Sequence, residues 1–358
     1  MTKSDPLLSR DECQILRGLA IIGIVTHNFC HWLGPVVKEN EYQFFASNVD
    51  WFSQVVLHPD ERLLAHLFSF FGHYGVPVFL FLSAYGLVSK YESRPASEAA
   101  APRRIGVGAF AGYHFLKLFK MMIVGFVAFT MLDDITPGAH HYHFADVVSQ
   151  LLMVNNLLPH PDAIIWPGPF WFFGLMLQLY VAYRLLFYRR GWGWIVGAMA
   201  ACWLLQALCA PESETLNRLR YNSVGGMLPF GLGLLYARYG RRVSPQCSGI
   251  VAVLSATLVV ACSYSYQAWF FVPAFVCTFS VSAVRFVSLC RPLASHLSWV
   301  GSLSAALFVC HPVTRKVFIP LSRGGDLYTG LLLYVVASLC VAWLFRLLMT
   351  KIPNPKLK

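Results

Sequence analysis

Charge is what this sequence has least of. Only 13% of its 358 residues are Asp, Glu, Lys or Arg, and 57% are hydrophobic, with a mean hydropathy of +0.56. A soluble chain is nearer a quarter charged, so this balance excludes disorder and coiled coil and argues against a water-soluble globule. The ten cysteines (13, 30, 202, 209, 247, 262, 277, 290, 310, 340) include no Cys-x-x-Cys pair and frame no loop. Neither a metal centre nor a disulfide scaffold is therefore expected, and the thiols read as buried and inert. Low-complexity sequence and internal repeats are lacking as well, with Ser93 to Pro102 the one loop-like stretch. The first apolar run carries no small-residue cleavage site and is expected to stay as a span.

What remains is long apolar sequence. Windows of about 19 apolar residues predict spans at 14–33, 63–88, 109–132, 169–188, 192–210, 222–239, 248–264, 267–288, 299–319 and 327–349. The expected fold is an all-α polytopic membrane helical bundle of about ten transmembrane helices, one domain over 1–358. Phe144 to Leu158 is too short and reads as a re-entrant or interfacial piece. The net charge of +11 would suggest nucleic acid in a soluble protein, but here it is first a topology signal. With both termini cytoplasmic, 21 of the 28 bases fall on inner flanks and twelve of the 17 acids fall outside. No nucleic-acid partner is expected. Arg315, Lys316 and Arg323 break the pattern in the last outer loop and need a function or a corrected span.

Ionisable groups inside a bilayer cost several kcal/mol unless paired or hydrated, so each is a candidate. Span one carries Arg17, His27 and His31. The two histidines are four apart on one helical face, and Arg17 lies about 15 Å away toward the cytoplasmic end. Span two brings Ser83 and Tyr85 to the same mouth, and Lys117 and Lys120 enter span three at i, i+3. A basic mouth suits a phosphate-rich ligand, although snorkelling anchors and interhelical hydrogen bonds would use the same residue types. On the outer side Asp133, Asp134, His140, His141, His143 and His160 share a long loop followed by Trp166 and Trp171. Aromatic rings beside carboxylates suit a sugar lip and equally an interfacial belt. The loop histidines match no zinc spacing. His311, before Pro312 in span nine, either lines a cavity or satisfies freed backbone groups.

Taken together these stretches resemble the acyltransferase-3 family of multi-spanning membrane acyltransferases, which includes bacterial O-antigen and peptidoglycan O-acetyltransferases. The resemblance rests on Leu16-Arg17-Gly18-Leu19-Ala20-Ile21 to His27, on Gly75 to Tyr85, and on Lys117 to Lys120. It extends through Phe170 to Tyr180 and Gly301 to Pro312. It covers nearly the whole chain, each motif being weak and their order and spacing fairly specific. The resemblance implies His27 as the essential histidine, Arg17 as the essential arginine, Ser83-Ala84-Tyr85 in place of a Ser-Gly-aromatic motif, and Lys117 with Lys120 in place of an Arg-x-x-Arg pair. Nine residues separate Arg17 from His27 where the family usually has ten, so His27 and His31 both stay open as the key base. No appended extracytoplasmic esterase-like domain is expected.

The resemblance implies transfer of an acyl group, most simply acetyl, from cytosolic acyl-CoA to a hydroxyl of a cell-surface or lipid-linked carbohydrate, in the bacterial cytoplasmic membrane. Arg103 and Arg104 would join Lys117 and Lys120 on the CoA phosphates, while His31, Trp171, Asp133, Asp134 and His311 would face the carbohydrate. Expected partners are therefore acyl-CoA, a carbohydrate acceptor and the bilayer, without a metal. Oligomeric state is not legible. The opposing reading is a proton- or ion-coupled transporter, which should carry an acid pair in mid-membrane.

Overall fold

The computed structural model describes residues 6–92 and 106–357. Among these the chain is helical and no strand occurs. The helices are α1 (Arg10–Cys30), α2 (Ala46–Leu57), α3 (Leu63–Phe71), α4 (Gly75–Tyr91), α5 (Val107–Asp134), α6 (Phe144–Leu151), α7 (Pro161–Ile164), α8 (Trp171–Ala182) and α9 (Trp192–Ala207). They continue as α10 (Glu214–Tyr221), α11 (Ser223–Tyr239), α12 (Pro245–Cys262), α13 (Tyr266–Trp269), α14 (Val272–Val287), α15 (Arg291–Ser302), α16 (Ser304–Arg323) and α17 (Leu327–Lys351). The chain is a multi-pass integral membrane protein with a polytopic helical fold.

A helix stands at every expected span, yet fewer than ten have full spanning length. Six described segments are long and apolar enough to cross a bilayer: Arg10–Cys30, Leu63–Tyr91, Val107–Asp134, Gly168–Phe187, Pro245–Cys262 and Leu327–Lys351. The pair α15 and α16, bent by 72°, adds a seventh if it is one span. Helices α9 and α14 are apolar but have only 16 residues each. Helix α11 has 17 and contains Pro229. The segment 144–158 forms the short α6 and a 3₁₀ turn at Asn155–Leu157 and does not span.

Helix α1 is the axis on which the site is built. Its start is fixed by a capping box, Ser9 Oγ accepting from Glu12 N at 3.1 Å and Glu12 Oε2 accepting from Ser9 N at 2.7 Å. Small residues then let other backbones come close. A Cβ on Gly18 would lie 2.1 Å from the Leu297 carbonyl oxygen, and one on Gly72 would meet Gly23 O at 2.5 Å and the His27 Cβ at 2.7 Å. Thus α15 crosses α1 at Gly18, in its N-terminal half, and the 3₁₀ turn Gly72–Tyr74 between α3 and α4 crosses it beside His27. The close approach at Gly72 is a packing requirement that no larger residue meets. On the basic side, Arg238 closes a two-pronged pair with Glu92 at 2.7 and 2.8 Å, and Lys120 reaches the C-terminal segment at Ile352 O, 2.6 Å away. This end is called inner below and the opposite one outer.

Candidate active site

Positions 14, 17, 24 and 28 of α1 and the C-cap His31 recur at helical spacing on one stripe, with His27 beside it. Two cavities open along that stripe, back to back. The outer one, of about 210 Å³, is lined by His27, His31, Glu39, Tyr42, Trp171 and Arg315 among others. The inner one, of about 340 Å³, is lined by Gln14, Arg17, Ser83, Lys117, Tyr180 and Ser304 among others. Ile24, Phe172 and Phe308 line both and form the apolar partition between them.

In the outer cavity His27 is 4% exposed, and its Nδ1 lies 2.8 Å from the Ser69 carbonyl oxygen. A carbonyl can only accept, so Nδ1 carries the proton and donates it to Ser69. Nε2 is left with its lone pair. Nε2 points toward Glu39, whose Oε1 is 3.9 Å away, and the same oxygen lies 3.3 Å from His31 Nδ1. The His27 and His31 rings stack with centroids 5.1 Å apart, and His73 tilts against His27 at 5.6 Å.

Glu39 reaches this position because residues 31–45 fold back over the end of α1 instead of extending into water. Four bonds pin the segment: Val37 N to His66 Nδ1 at 3.0 Å, Ser69 Oγ to Val37 O, Trp269 Nε1 to Asn40 O at 2.9 Å, and Phe44 N to Pro211 O at 2.9 Å. Burial alone raises the carboxyl pKa of Glu39, but the imidazoles of His31 and His27 and the His31 hydrogen bond outweigh it and hold the group well below the usual carboxylate range. Glu41, in the same cavity, goes the other way. Burial and then the charge of Glu39 push it up to about 8. The exposed part of Glu41 is cavity wall.

His27, His31 and Glu39 offer three ligand atoms within 4.8 Å of one another. That number and reach would also suit a divalent metal with an open position. The His140–His143 stretch forms no such group among the described residues; His140 stacks on Trp166 at 5.1 Å.

The inner cavity has the opposite character. Arg17 from α1 and Lys117 from α5 face it, and the 72° break between α15 and α16 points the first residues of α16, Ser304 and Ala305, into the same space. A helix start adds unpaired N–H groups to the two cations, so the cavity is positive on several sides.

The structure therefore brings together some expected residues and separates others. His27, His31 and Trp171 meet in the outer cavity, and Arg17, Ser83 and Lys117 in the inner one. Tyr85 lines neither; its hydroxyl accepts from Leu8 N at 3.0 Å. Lys120 is spent on Ile352 O and on Asn354 Oδ1 at 2.8 Å. Asp133 is buried in a lock that joins α5 to α16, with Lys316 Nζ at 2.7 Å and the Tyr142 hydroxyl at 2.9 Å. Asp134 is exposed and lines neither cavity. His311 is fully buried behind Phe308, its Nδ1 3.1 Å from Leu307 O, and lines neither cavity. Arg103 and Arg104 lie outside the described residues. Glu39, Glu41, Tyr42, His73 and the partition residues are additions that sequence did not single out as site groups.

A family model described as an acyltransferase domain matches residues 11–347, nearly the whole chain. Comparisons with curated proteins and with solved structures gave no match.

Proposed function

The chain belongs to the acyltransferase-3 family and is a membrane acyltransferase, and we propose that it moves an acyl group, most simply acetyl, from cytosolic acyl-CoA to a carbohydrate hydroxyl on the far side of the membrane. The observation that carries this reading is the pair of cavities that share Ile24, Phe172 and Phe308 as lining, one positive and one holding His27. The donor enters from inside. Arg17 and Lys117 hold its phosphates, with the start of α16 as a further electropositive wall. The thioester then reaches the partition, where an acyl carbon can be exposed to the outer cavity without opening a path for water.

The acceptor hydroxyl lies in the outer cavity at His27 Nε2. His27 takes its proton as the oxygen attacks the thioester carbonyl; the new C–O bond forms and the C–S bond breaks. The proton passes from the imidazolium to the departing CoA thiolate. Glu39, charged and within 3.9 Å, stabilises the imidazolium in between, and Ser69 fixes the ring so that only Nε2 is available. General-base assistance of this kind contributes about 10² to 10⁴ in rate. Ser83, at the inner cavity, is a hydrogen-bond donor for the thioester and not the nucleophile, since no base lies against it among its described contacts. We assign the protein to the bacterial cytoplasmic membrane and the acceptor to the cell-surface or lipid-linked glycans.

The test is to separate binding from chemistry on purified protein. Arg17→Ala and Lys117→Ala should weaken acetyl-CoA binding, whereas His27→Gln should bind acetyl-CoA normally and lose its turnover. Failure of the folded, unsubstituted protein to bind acetyl-CoA would overturn the reading in favour of the transporter.

A further inference from the structure

Three cations sit at the outer end of α16, where the charge pattern of the chain calls for none. Two are accounted for by their surroundings. Lys316 closes on Asp133 at 2.7 Å, and Arg323, exposed, donates to Trp32 O at 3.0 Å. Arg315 is different. It is 6% exposed, faces the outer cavity, and has Nη1 on Asn28 O at 3.3 Å and its guanidinium 5.1 Å from the centre of the Trp32 ring. Among the described residues no carboxylate lies within ion-pair distance of it.

A guanidinium has five N–H donors and keeps its charge in any protein, so burying it without a counter-charge is unfavourable. Other enclosed arginines in this chain are better satisfied, one by a carboxylate and one by two neutral acceptors and a ring face. Arg238 has both oxygens of Glu92, and Arg220 has Glu41 O at 2.6 Å, Gln206 Oε1 at 3.2 Å and the Trp269 face at 4.0 Å. The three acids that share the cavity with Arg315 are engaged elsewhere: Glu39 with the histidines, Glu41 with the Tyr42 side chain, and Asp162 with Asn217 Nδ2 at 3.2 Å. A second donor in the same wall is also unanswered, because the buried Trp166 Nε1 has no acceptor. The outer cavity thus presents a permanent cation with one long backbone hydrogen bond and no ion-pair partner, and a neutral N–H with no acceptor.

We propose that the acceptor bears a fixed negative group, a carboxylate or phosphoryl group on the sugar that is acylated, and that Arg315 binds it with Trp166 Nε1 as a second donor. This rests on the acyltransferase reading of the outer cavity. It narrows the acceptor class to acidic sugars. Arg315 completes its hydrogen bonding only when such an acceptor is seated, so a neutral sugar would leave the cation buried and unpaired and be rejected.

The test uses the full chain in phosphatidylcholine nanodiscs, titrated with glucuronate, glucose 6-phosphate and glucose at equal ionic strength and followed by tryptophan fluorescence, since Trp32, Trp166 and Trp171 line the cavity. At least one charged sugar should bind about tenfold or more tightly than glucose, and which of them does so identifies carboxylate or phosphoryl as the group. Arg315→Gln should erase the difference, Arg315→Lys should keep part of it, and Trp166→Phe should reduce it. Should Arg315→Gln not elute as a single folded species, the lysine and phenylalanine variants decide. Equal affinities for all three sugars, or a preference untouched by these substitutions, would overturn the proposal. Acetyl-CoA binding by the same unsubstituted preparation separates the two ideas. Donor binding without charge preference defeats only the anion site, whereas charge preference without donor binding defeats the acyltransferase mechanism and leaves the anion site standing.

Discussion

The His27 ring has one nitrogen fixed on the Ser69 carbonyl and the other free to take a proton 3.9 Å from Glu39, and this division underlies the residue-scale predictions. His27→Ala should lower acyl transfer by about 10² to 10⁴. His31→Ala, which leaves the Ser69 bond intact, should weaken transfer without abolishing it; equal and mild effects would remove the assignment of His27. Glu39→Gln keeps the shape and removes the charge facing the imidazolium, and a loss of about ten- to a hundredfold in turnover at unchanged donor binding is expected. Glu41 supplies a pH dependence. Its pKa is raised from an ordinary value near 4.5 to about 8, so the folded state holds a proton that the unfolded chain releases. The stability this provides is complete below about 4.5 and is lost progressively as pH rises to about 8. In Glu41→Gln that decline should be absent, and unfolding scans between pH 5 and pH 8 measure it. Zinc tests the same cluster from another side. Because His27, His31 and Glu39 lie within metal-binding reach, added Zn²⁺ should inhibit transfer by occupying Nε2, with reversal by chelator. If chelator instead removes activity from the purified protein, the general-base mechanism is wrong.

At the scale of elements, the partition and the crossing at Gly72 carry the argument. Phe172→Ala and Phe308→Ala should open the passage between the cavities and raise the preference for butyryl-CoA over acetyl-CoA, by about tenfold or more since each methylene in an apolar site is worth 10- to 200-fold. A selectivity unmoved by either change would show that the acyl group does not pass there. Gly72→Ala should cost about 1 to 3 kcal/mol through overpacking and displace His27, whose Cβ would be 2.7 Å from the new methyl. Gly112→Ala on α5 meets nothing within 4 Å and should be neutral or mildly stabilising, as melting temperatures would show. The stripe of α1 was legible in sequence because helical periodicity puts Arg17 and His27 on neighbouring faces whatever surrounds them. The return of residues 31–45 was not, since it depends on bonds to His66, Pro211 and Trp269, far away in the chain. For the same reason Glu39 and Glu41 read as ordinary outer-loop acids. Lys117 and Lys120 looked equivalent at i, i+3, but the turn between them sends one into the cavity and the other to the C-terminal segment.

For the whole molecule, a helix stands at each hydropathy window but six or seven described segments have spanning length, because helix lengths follow local breaks that hydropathy averages away. Examples are the 72° bend at Leu303 and the 3₁₀ turn at Gly72–Tyr74, and both fall where the chain lines or borders a cavity. Charge asymmetry gave an orientation, and the three cations that violated it on α16 proved to be an interhelical pair, a solvent-side donor and the buried Arg315. The central claim is that the donor is held at the inner face and the acyl group leaves at the outer one. Inside-out and right-side-out membrane vesicles carrying the protein, given impermeant radiolabelled acetyl-CoA, test it most directly. The account predicts His27-dependent label on lumenal glycan in inside-out vesicles and none in right-side-out vesicles. Equal labelling in both, or undiminished labelling with His27→Gln, would contradict it.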